Sequence, residues 1–419
     1  MLIEFSVSNF RSFRDRQTLS MVAAPRLHRR ENTFKPELTG EKFPALLRAC
    51  VVYGPNASGK SNLLKALDVI GILARRQPSS YARPLPVAPF RFDPALADKP
   101  SSFDVHFVQG GLRYQFEVAA TAERIILERL RVFPKGKETM LYERQYTKGD
   151  DDLYVMGPHL DGGADLHETW KKLTSPTMLF LAQAANNSKE SLRQLRAPFE
   201  WLKGSVRTVL DGMKGLAQVS QQIASEDDAS AALIAEFLRD VDVPVARVTA
   251  KVQPAAVPAR GGALESLGSI GTPREYLTTL THRTALGEAD IGYEDESEGT
   301  KNLIGFWLPW VTREPREQDA RCVLVIDELD GSLHPKIVAA LVAKHMSSSV
   351  PSQLIFSTHD THLMDANLLR RDQIWIVERD ENGASQLRSV HDFVGRESED
   401  VEKRYYEGRY RGLPLLKSA

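Results

Sequence analysis

Gly54-Pro55-Asn56-Ala57-Ser58-Gly59-Lys60-Ser61 lies between two segments of different periodicity. Before it, Ala49-Cys50-Val51-Val52-Tyr53 is apolar enough to read as a buried strand. After it, Asn62 to Ala74 sets Leu63, Leu64, Leu67, Ile70 and Ala74 on one helical face. A strand running into a glycine-containing loop and then into an amphipathic helix is the setting that a phosphate-binding P-loop requires. Glycine at 54 and 59 lets the backbone curl until its N–H groups face an anion. The helix starting near Lys60 adds its positive dipole end. Lys60 is placed to reach the β- and γ-phosphates, and the Ser61 hydroxyl to ligate Mg²⁺. The same eight residues without that strand and helix would be a coincidental loop.

The 419 residues suffice for two or three domain-sized units, or for one elaborated ATPase head with an insertion. With 42% hydrophobic and 26% charged residues, a soluble globular protein is expected. A net charge of -1 excludes a strongly basic nucleic-acid coat protein but leaves room for a local basic groove. Arg29-Arg30, Arg75-Arg76, Arg370-Arg371 and Lys403-Arg404 are scattered pairs of the kind usually found on solvated surface. Cys50 and Cys322 each sit in an apolar, strand-like run and read as buried free thiols. No apolar run approaches membrane-spanning length, and the N-terminus alternates like a strand where a secretory signal would be apolar. The expectation is a cytoplasmic protein without a membrane partner.

Along the chain, Ile3, Phe5 and Val7 alternate with Glu4, Ser6 and Ser8 as in a half-buried strand. Asn9 to Phe13 turns, and Gln17 to Val22 returns as a second strand. Residues 25–44 read as a surface loop, and residues 76–100 are too rich in proline for helix. Phe103–Val108, Leu112–Ala119, Ile125–Phe133 and Glu138–Tyr146 read as an antiparallel sheet, with Gly110-Gly111 as a hairpin turn. Residues 147–165 read as a loop. Residues 176–245 turn helical, with Leu192, Leu195, Phe199 and Leu202 on one face and Leu233, Phe237 and Val241 on another. Val245–Val252 reads as a strand, and the Pro- and Gly-rich residues 253–273 as a flexible loop. The expected organisation is an N-terminal ATPase lobe over residues 1–175, a helical insertion with a flexible loop over 176–275, and a C-terminal ATPase lobe over 276–419.

A second constellation follows in the C-terminal lobe. Val323-Leu324-Val325-Ile326-Asp327-Glu328 is an apolar run ending in two carboxylates, the pattern of a central parallel strand. Ligands of such sheets bind beyond the strand's carboxyl end. There Asp327 is the candidate Mg²⁺ partner, and Glu328 the candidate general base or water-orienting residue. Taken alone, an acidic strand end could as well cap the next helix. Leu354-Ile355-Phe356-Ser357-Thr358-His359-Asp360 repeats the pattern, and His359 could sense a γ-phosphate by donating a hydrogen bond. His362 has no such pattern and reads as surface or packing. Ser297-Glu298-Gly299 opens an apolar helix; by itself this is an N-cap, with Glu294, Asp295, Glu296 and Glu298 as a solvated acidic face.

In this order the motifs resemble the ABC-type ATPase heads of the SMC/RecF group. Gly54 to Ser61 resembles Walker A, Ser297 and Gly299 a degenerate signature, Val323 to Glu328 Walker B, and Leu329-Asp330-Gly331-Ser332-Leu333-His334-Pro335 the D-loop. Ser357-Thr358-His359-Asp360 resembles the switch-histidine region, and Phe5 to Phe13 the group's first hairpin. More narrowly, the chain resembles the stand-alone AAA-family ATPases of bacterial antiphage and abortive-infection systems of the RloA or AbiL kind. Its tail, Arg404-Tyr405-Tyr406-Glu407-Gly408-Arg409-Tyr410-Arg411-Gly412-Leu413-Pro414, looks like their ending. The signature lacks the full Leu-Ser-Gly-Gly-Gln pattern, and no Q-loop glutamine stands out beyond Gln183.

The resemblance implies a P-loop NTPase of ABC-head type: an α/β fold with a mixed central sheet, an antiparallel β subdomain and a helical insertion. It implies ATP and Mg²⁺ as ligands. Gly54, Pro55, Asn56, Ala57, Ser58, Gly59, Lys60, Ser61, Asn62, Ser297, Gly299 and Asp330 would contact nucleotide, Ser61 and Asp327 the metal. Glu328, His359 and Lys60 would act in hydrolysis. It also implies a head-to-head homodimer, or a higher assembly, with Ser297 and Gly299 acting in trans, and a separate effector protein, often a nuclease. Three functions stay open: an ATP-hydrolysing defence sensor, a DNA-repair ATPase that clamps DNA, and a non-hydrolysing ATP-switched scaffold. Arg11 and Arg409 are cations able to reach nucleotide or nucleic acid, with nothing in the sequence selecting either.

Overall fold

The computed structural model describes residues 1–77, 83–149, 152–189, 192–210, 212–254, 274–311, 322–347, 352–397 and 399–413. The chain divides into two compact units. The larger holds residues 1–210, 316–329 and 341–419, and the smaller residues 211–315 and 330–340.

Among the described residues, two large sheets build the larger unit, beside a two-stranded one formed by Thr33–Phe34 and Leu46–Leu47. The first is parallel apart from one edge strand, in the order Val206–Val209, Val323–Ile326, Gln353–Ser357, Ala49–Tyr53, Ile374–Arg379, Ser385–Ser389. Ala49–Tyr53 and Gln353–Ser357 are buried along their whole length, which explains their unbroken apolar character. The second sheet is antiparallel, in the order Leu153–Met156, Thr139–Gln145, Ile125–Phe133, Leu112–Ala120, Ser101–Gln109, Leu2–Ser8, Gln17–Ser20. Gly110 and Gly111 both take positive φ (57° and 77°) in the two-residue turn that pairs Gln109 with Leu112.

One apolar core joins the sheets. Phe5, Phe103 and Phe116 from the antiparallel sheet, Leu63, Leu67 and Ile70 from the helix Lys60–Arg75, and Val52, Val325 and Ile355 from the parallel sheet share it. The fully buried Gln353 amide stitches the first strand to the parallel sheet. It accepts the Leu2 N–H at 2.7 Å and donates to the Leu2 carbonyl at 2.9 Å. A second buried polar cluster fastens the helix Phe180–Asn186. The Glu128 carboxylate accepts the N–H groups of Phe180 and Leu181 (2.7 and 2.9 Å) and the Tyr142 hydroxyl (2.7 Å). Arg144 lies 3.8 Å from the same carboxylate and grips Asp152 with two nitrogens.

The fold is mixed α/β with an antiparallel β subdomain, as expected, but local readings need correction. Val206–Val209 is a strand inside the stretch read as helical; its β-branched residues extend the edge of the parallel sheet. Residues 147–165 are not all loop, since they contain the strand Leu153–Met156 and the start of the helix Gly163–Leu173. The reading of 253–273 as a flexible loop falls mostly on 255–273, outside the described residues. Arg370 and Arg371 are interior: Arg370 pairs with Asp372 at 2.6 Å, and Arg371 donates to the carbonyls of Val390, Phe393 and Arg396. Both cysteines are free, Cys50 buried and Cys322 half-buried.

The smaller unit carries the helices Lys214–Glu226, Asp228–Asp240 and Glu298–Val311. It also carries an antiparallel sheet in the order Val245–Pro254, Arg274–Thr284, Gly287–Gly292. Gly305 permits close helix contact, because a Cβ there would lie 2.7 Å from the Met213 carbonyl oxygen.

Candidate functional site

The parallel sheet positions the candidate residues of the larger unit. Ala49–Tyr53 lies between Gln353–Ser357 and Ile374–Arg379, and the loop that follows it turns on left-handed residues. Gly54, Ala57 and Gly59 have φ of 150°, 61° and 113°. Glycine is required at 54, where a Cβ would meet the Val377 carbonyl oxygen at 2.2 Å. At 59 it would press on Ser385 Oγ at 2.1 Å.

Lys60 opens the helix Lys60–Arg75 and is buried, its ammonium donating to the carbonyls of Gly54 (2.8 Å) and Pro55 (3.3 Å). The first N–H groups of a helix have no carbonyl partner within it, so they and the loop N–H groups form a ready anion cradle. The Ser58 hydroxyl is buried under the loop without a hydrogen-bond partner among the described residues. Asn56 and Ala57 are exposed at the loop tip, and Pro55 is half-buried. Asn62 is committed elsewhere: its amide donates to Ser12 Oγ at 2.9 Å. Ser385 Oγ donates to the Ser58 carbonyl (2.5 Å) and lies 2.8 Å from Ser12 Oγ, so the first hairpin's turn and the strand Ser385–Ser389 buttress the loop.

Strand register brings in the carboxylates. Ile326 pairs with Phe356, so Asp327 falls level with Ser357. Ser357 pairs with Val52, so Thr358 and His359 run beside the start of the loop. With strands about 4.8 Å apart, the Asp327 strand lies about 10 Å across the sheet from the P-loop strand. The Asp327 N–H donates to the Val209 carbonyl at 2.9 Å, and its Oδ1 accepts the Ser357 hydroxyl at 2.5 Å. Glu328 is exposed, with φ of 53°, and its N–H donates to Ser357 Oγ at 2.8 Å. Ser357 was not singled out in the sequence; the signal was a hydroxyl at the end of an apolar strand next to the acidic one.

His359 is exposed. The next residues are clasped by the tail helix Val401–Tyr406. Thr361 Oγ1 donates to Glu402 at 2.6 Å and lies 3.0 Å from the Tyr406 hydroxyl, while Tyr53 donates to the Asp360 carbonyl at 2.9 Å. His362 Nδ1 lies 2.8 Å from Asp360 Oδ1, and that hydrogen bond holds the imidazole above its ordinary pKa. Gln183 is buried on the helix Phe180–Asn186. Arg409 bonds to Glu407 in its own tail, and Arg11 lies over the Phe10 ring.

The smaller unit holds the remaining candidates. Ser297 Oγ accepts the Thr300 N–H at 3.1 Å, an N-cap for the helix Glu298–Val311. Gly299 sits against the D-loop: a Cβ there would lie 2.9 Å from the Ser332 carbonyl oxygen. Asn302 donates to the Gly331 carbonyl at 2.9 Å, and the Leu333 N–H closes a turn onto the Asp330 carbonyl at 3.0 Å. The acidic neighbours are not uniformly a solvated face, since Glu296 is paired with His282 at 2.6 Å.

Magnesium takes oxygen donors and keeps several waters, so one hydroxyl and one carboxylate from the protein suffice. Ser61 would supply the hydroxyl and Asp327 the carboxylate, whose Oδ1 already accepts the Ser357 hydroxyl. No cluster of three or more His, Cys, Asp or Glu able to hold a metal occurs among the described residues, and no described helix is long and apolar enough to cross a membrane.

No curated protein matches the sequence. Among solved structures, the chain is similar to an SmcHead bound to the C-winged helix domain of ScpA. The identity is 13%, the coverage 97% of this chain and 99% of that one, and the TM-score 0.42. It is also similar to the SMC head domain from Thermotoga maritima, at 14% identity, 93% and 98% coverage and a TM-score of 0.39. Residues 50–365 match the AAA_21 family, described as "AAA domain, putative AbiEii toxin, Type IV TA system". That match spans the P-loop, the carboxylate strand and His359, and the chain belongs to the AAA_21 family of AAA-domain P-loop proteins.

Proposed function

We propose that the protein binds and hydrolyses ATP, dimerises around it, and controls a separate effector in bacterial phage defence. The observation that carries the reading is the register that seats Asp327 level with Ser357 and runs His359 beside the P-loop. In this reading the loop N–H groups and Lys60 hold the phosphates. Ser61 and Asp327 hold Mg²⁺, which neutralises phosphate charge when bound. Glu328 orients or deprotonates the attacking water, and His359 donates to the γ-phosphate. The family's description, with its toxin and type IV TA system, supports placement among abortive systems.

Dimerisation is tested by solution mass with and without ATP and Mg²⁺. ATP should convert wild type to a transient dimer and Glu328→Gln to a lasting one. Masses that ignore ATP in both proteins would remove the trans roles of Ser297 and Gly299.

A further inference from the structure

We propose that Ser357 is a positioning residue for the Asp327–Glu328 pair, a role that rests on the ATPase reading. Its hydroxyl is fully buried and used twice, donating to Asp327 Oδ1 at 2.5 Å and accepting the Glu328 N–H at 2.8 Å. Its carbonyl accepts the Leu329 N–H at 3.0 Å. Three successive residues after the strand Val323–Ile326 are thus held by one residue of the neighbouring strand.

Two consequences follow. First, Asp327 is held from both sides, its backbone by Val209 and its carboxylate by Ser357. Occupying Oδ1 leaves Oδ2 as the oxygen offered to a cation. Second, Glu328 sits in the left-handed region with φ of 53°, which a residue of its type seldom adopts. The bond from its N–H to Ser357 Oγ holds it there, so the direction of the Glu328 carboxylate depends on the same hydroxyl. Serine is suited to the task because its single oxygen both donates and accepts within one buried volume. Ser357 ends its strand two residues before His359, so the strand that leads into the candidate phosphate-sensing histidine carries the clamp.

The test uses the full-length protein with ATP. Mn²⁺ binding to the ATP-bound protein is titrated by paramagnetic resonance, and turnover is measured separately. Ser357→Ala should weaken Mn²⁺ about tenfold and slow turnover about 10- to 100-fold, as for other residues that orient a metal ligand. ATP affinity in EDTA should stay within about twofold of wild type, since the Lys60 cradle is untouched. Ser357→Cys, close in size with a weak donor, should behave like Ser357→Ala, and Ser357→Thr should restore Mn²⁺ binding. In an Asp327→Asn background, Ser357→Ala should add little. Wild-type Mn²⁺ affinity in the Ala and Cys variants, or fully multiplicative effects with Asp327→Asn, would overturn the role of Ser357 while leaving the ATPase reading intact. A wild-type protein that binds no ATP would overturn both.

Discussion

Replacing Gly54 by alanine tests how the sheet shapes the P-loop. Gly54 has φ of 150°, and its added Cβ would lie 2.2 Å from the Val377 carbonyl oxygen. That is more than 1 Å inside van der Waals contact, and the obstacle is backbone in the neighbouring parallel strand. The backbone strain costs about 2 kcal/mol. The overpacking adds about 2 kcal/mol. Together, about 4 kcal/mol would be lost from a total that in globular proteins is about 5–15 kcal/mol. Gly59→Ala is the control. It also has a positive φ, 113°, but its closest contact is a side-chain end, Ser385 Oγ at 2.1 Å. Ser385→Gly should therefore recover about 1–2 kcal/mol of the Gly59→Ala loss, the overpacking part. The same change should recover nothing for Gly54→Ala. Urea unfolding of the four variants, followed by circular dichroism, reads these differences. Gly54→Ala losing less than about 1 kcal/mol, or being rescued by Ser385→Gly, would refute the steric reasoning.

Two further predictions concern residues outside the P-loop. Burial pushes the Glu128 carboxyl above its ordinary value of 4.5, against the opposing pull of Arg144 and its hydrogen bonds. Folding therefore favours its protonated form: the stabilisation is present below pH 4.5 and is lost as pH rises through the folded-state value. Glu128→Gln should flatten that part of a stability–pH profile and cost about 2 kcal/mol by turning one of the two acceptor oxygens into an amide NH₂ that faces a backbone N–H. An unchanged slope would contradict it. Ser297→Ala should cost about 1 kcal/mol by loss of the N-cap, while Ser297→Asp keeps the cap and the stability. If Ser297 meets phosphate in trans, the Asp variant should nevertheless lose ATP-driven dimerisation; an Asp variant that dimerises normally would leave Ser297 as a cap only.

Much of the larger unit was legible because its elements announce themselves locally. Ala49–Tyr53 and Gln353–Ser357 are apolar throughout because both faces are covered, and Gly110-Gly111 marks a turn by backbone freedom alone. Less legible were features decided by partners distant in sequence. Val206–Val209 becomes a strand only because Val323–Ile326 is there to pair with it. Arg370 and Arg371 look like a surface pair until Asp372 and the carbonyls of Val390, Phe393 and Arg396 surround them. Arg274–Thr284 is threonine-rich, with Leu280 buried and Leu277 exposed, so its alternation is faint. In the candidate site, the P-loop and the carboxylates follow from residue type at fixed spacing. The clamp on Asp327 follows from register, which a single strand's sequence does not contain.

The most direct measurement is ATP binding and phosphate release by wild type and Glu328→Gln under identical Mg²⁺. The account predicts that both bind ATP with similar affinity, and that turnover falls at least about 100-fold in the variant, as for loss of a general base. A variant that hydrolyses ATP at the wild-type rate, or a wild type that binds no ATP, would contradict it.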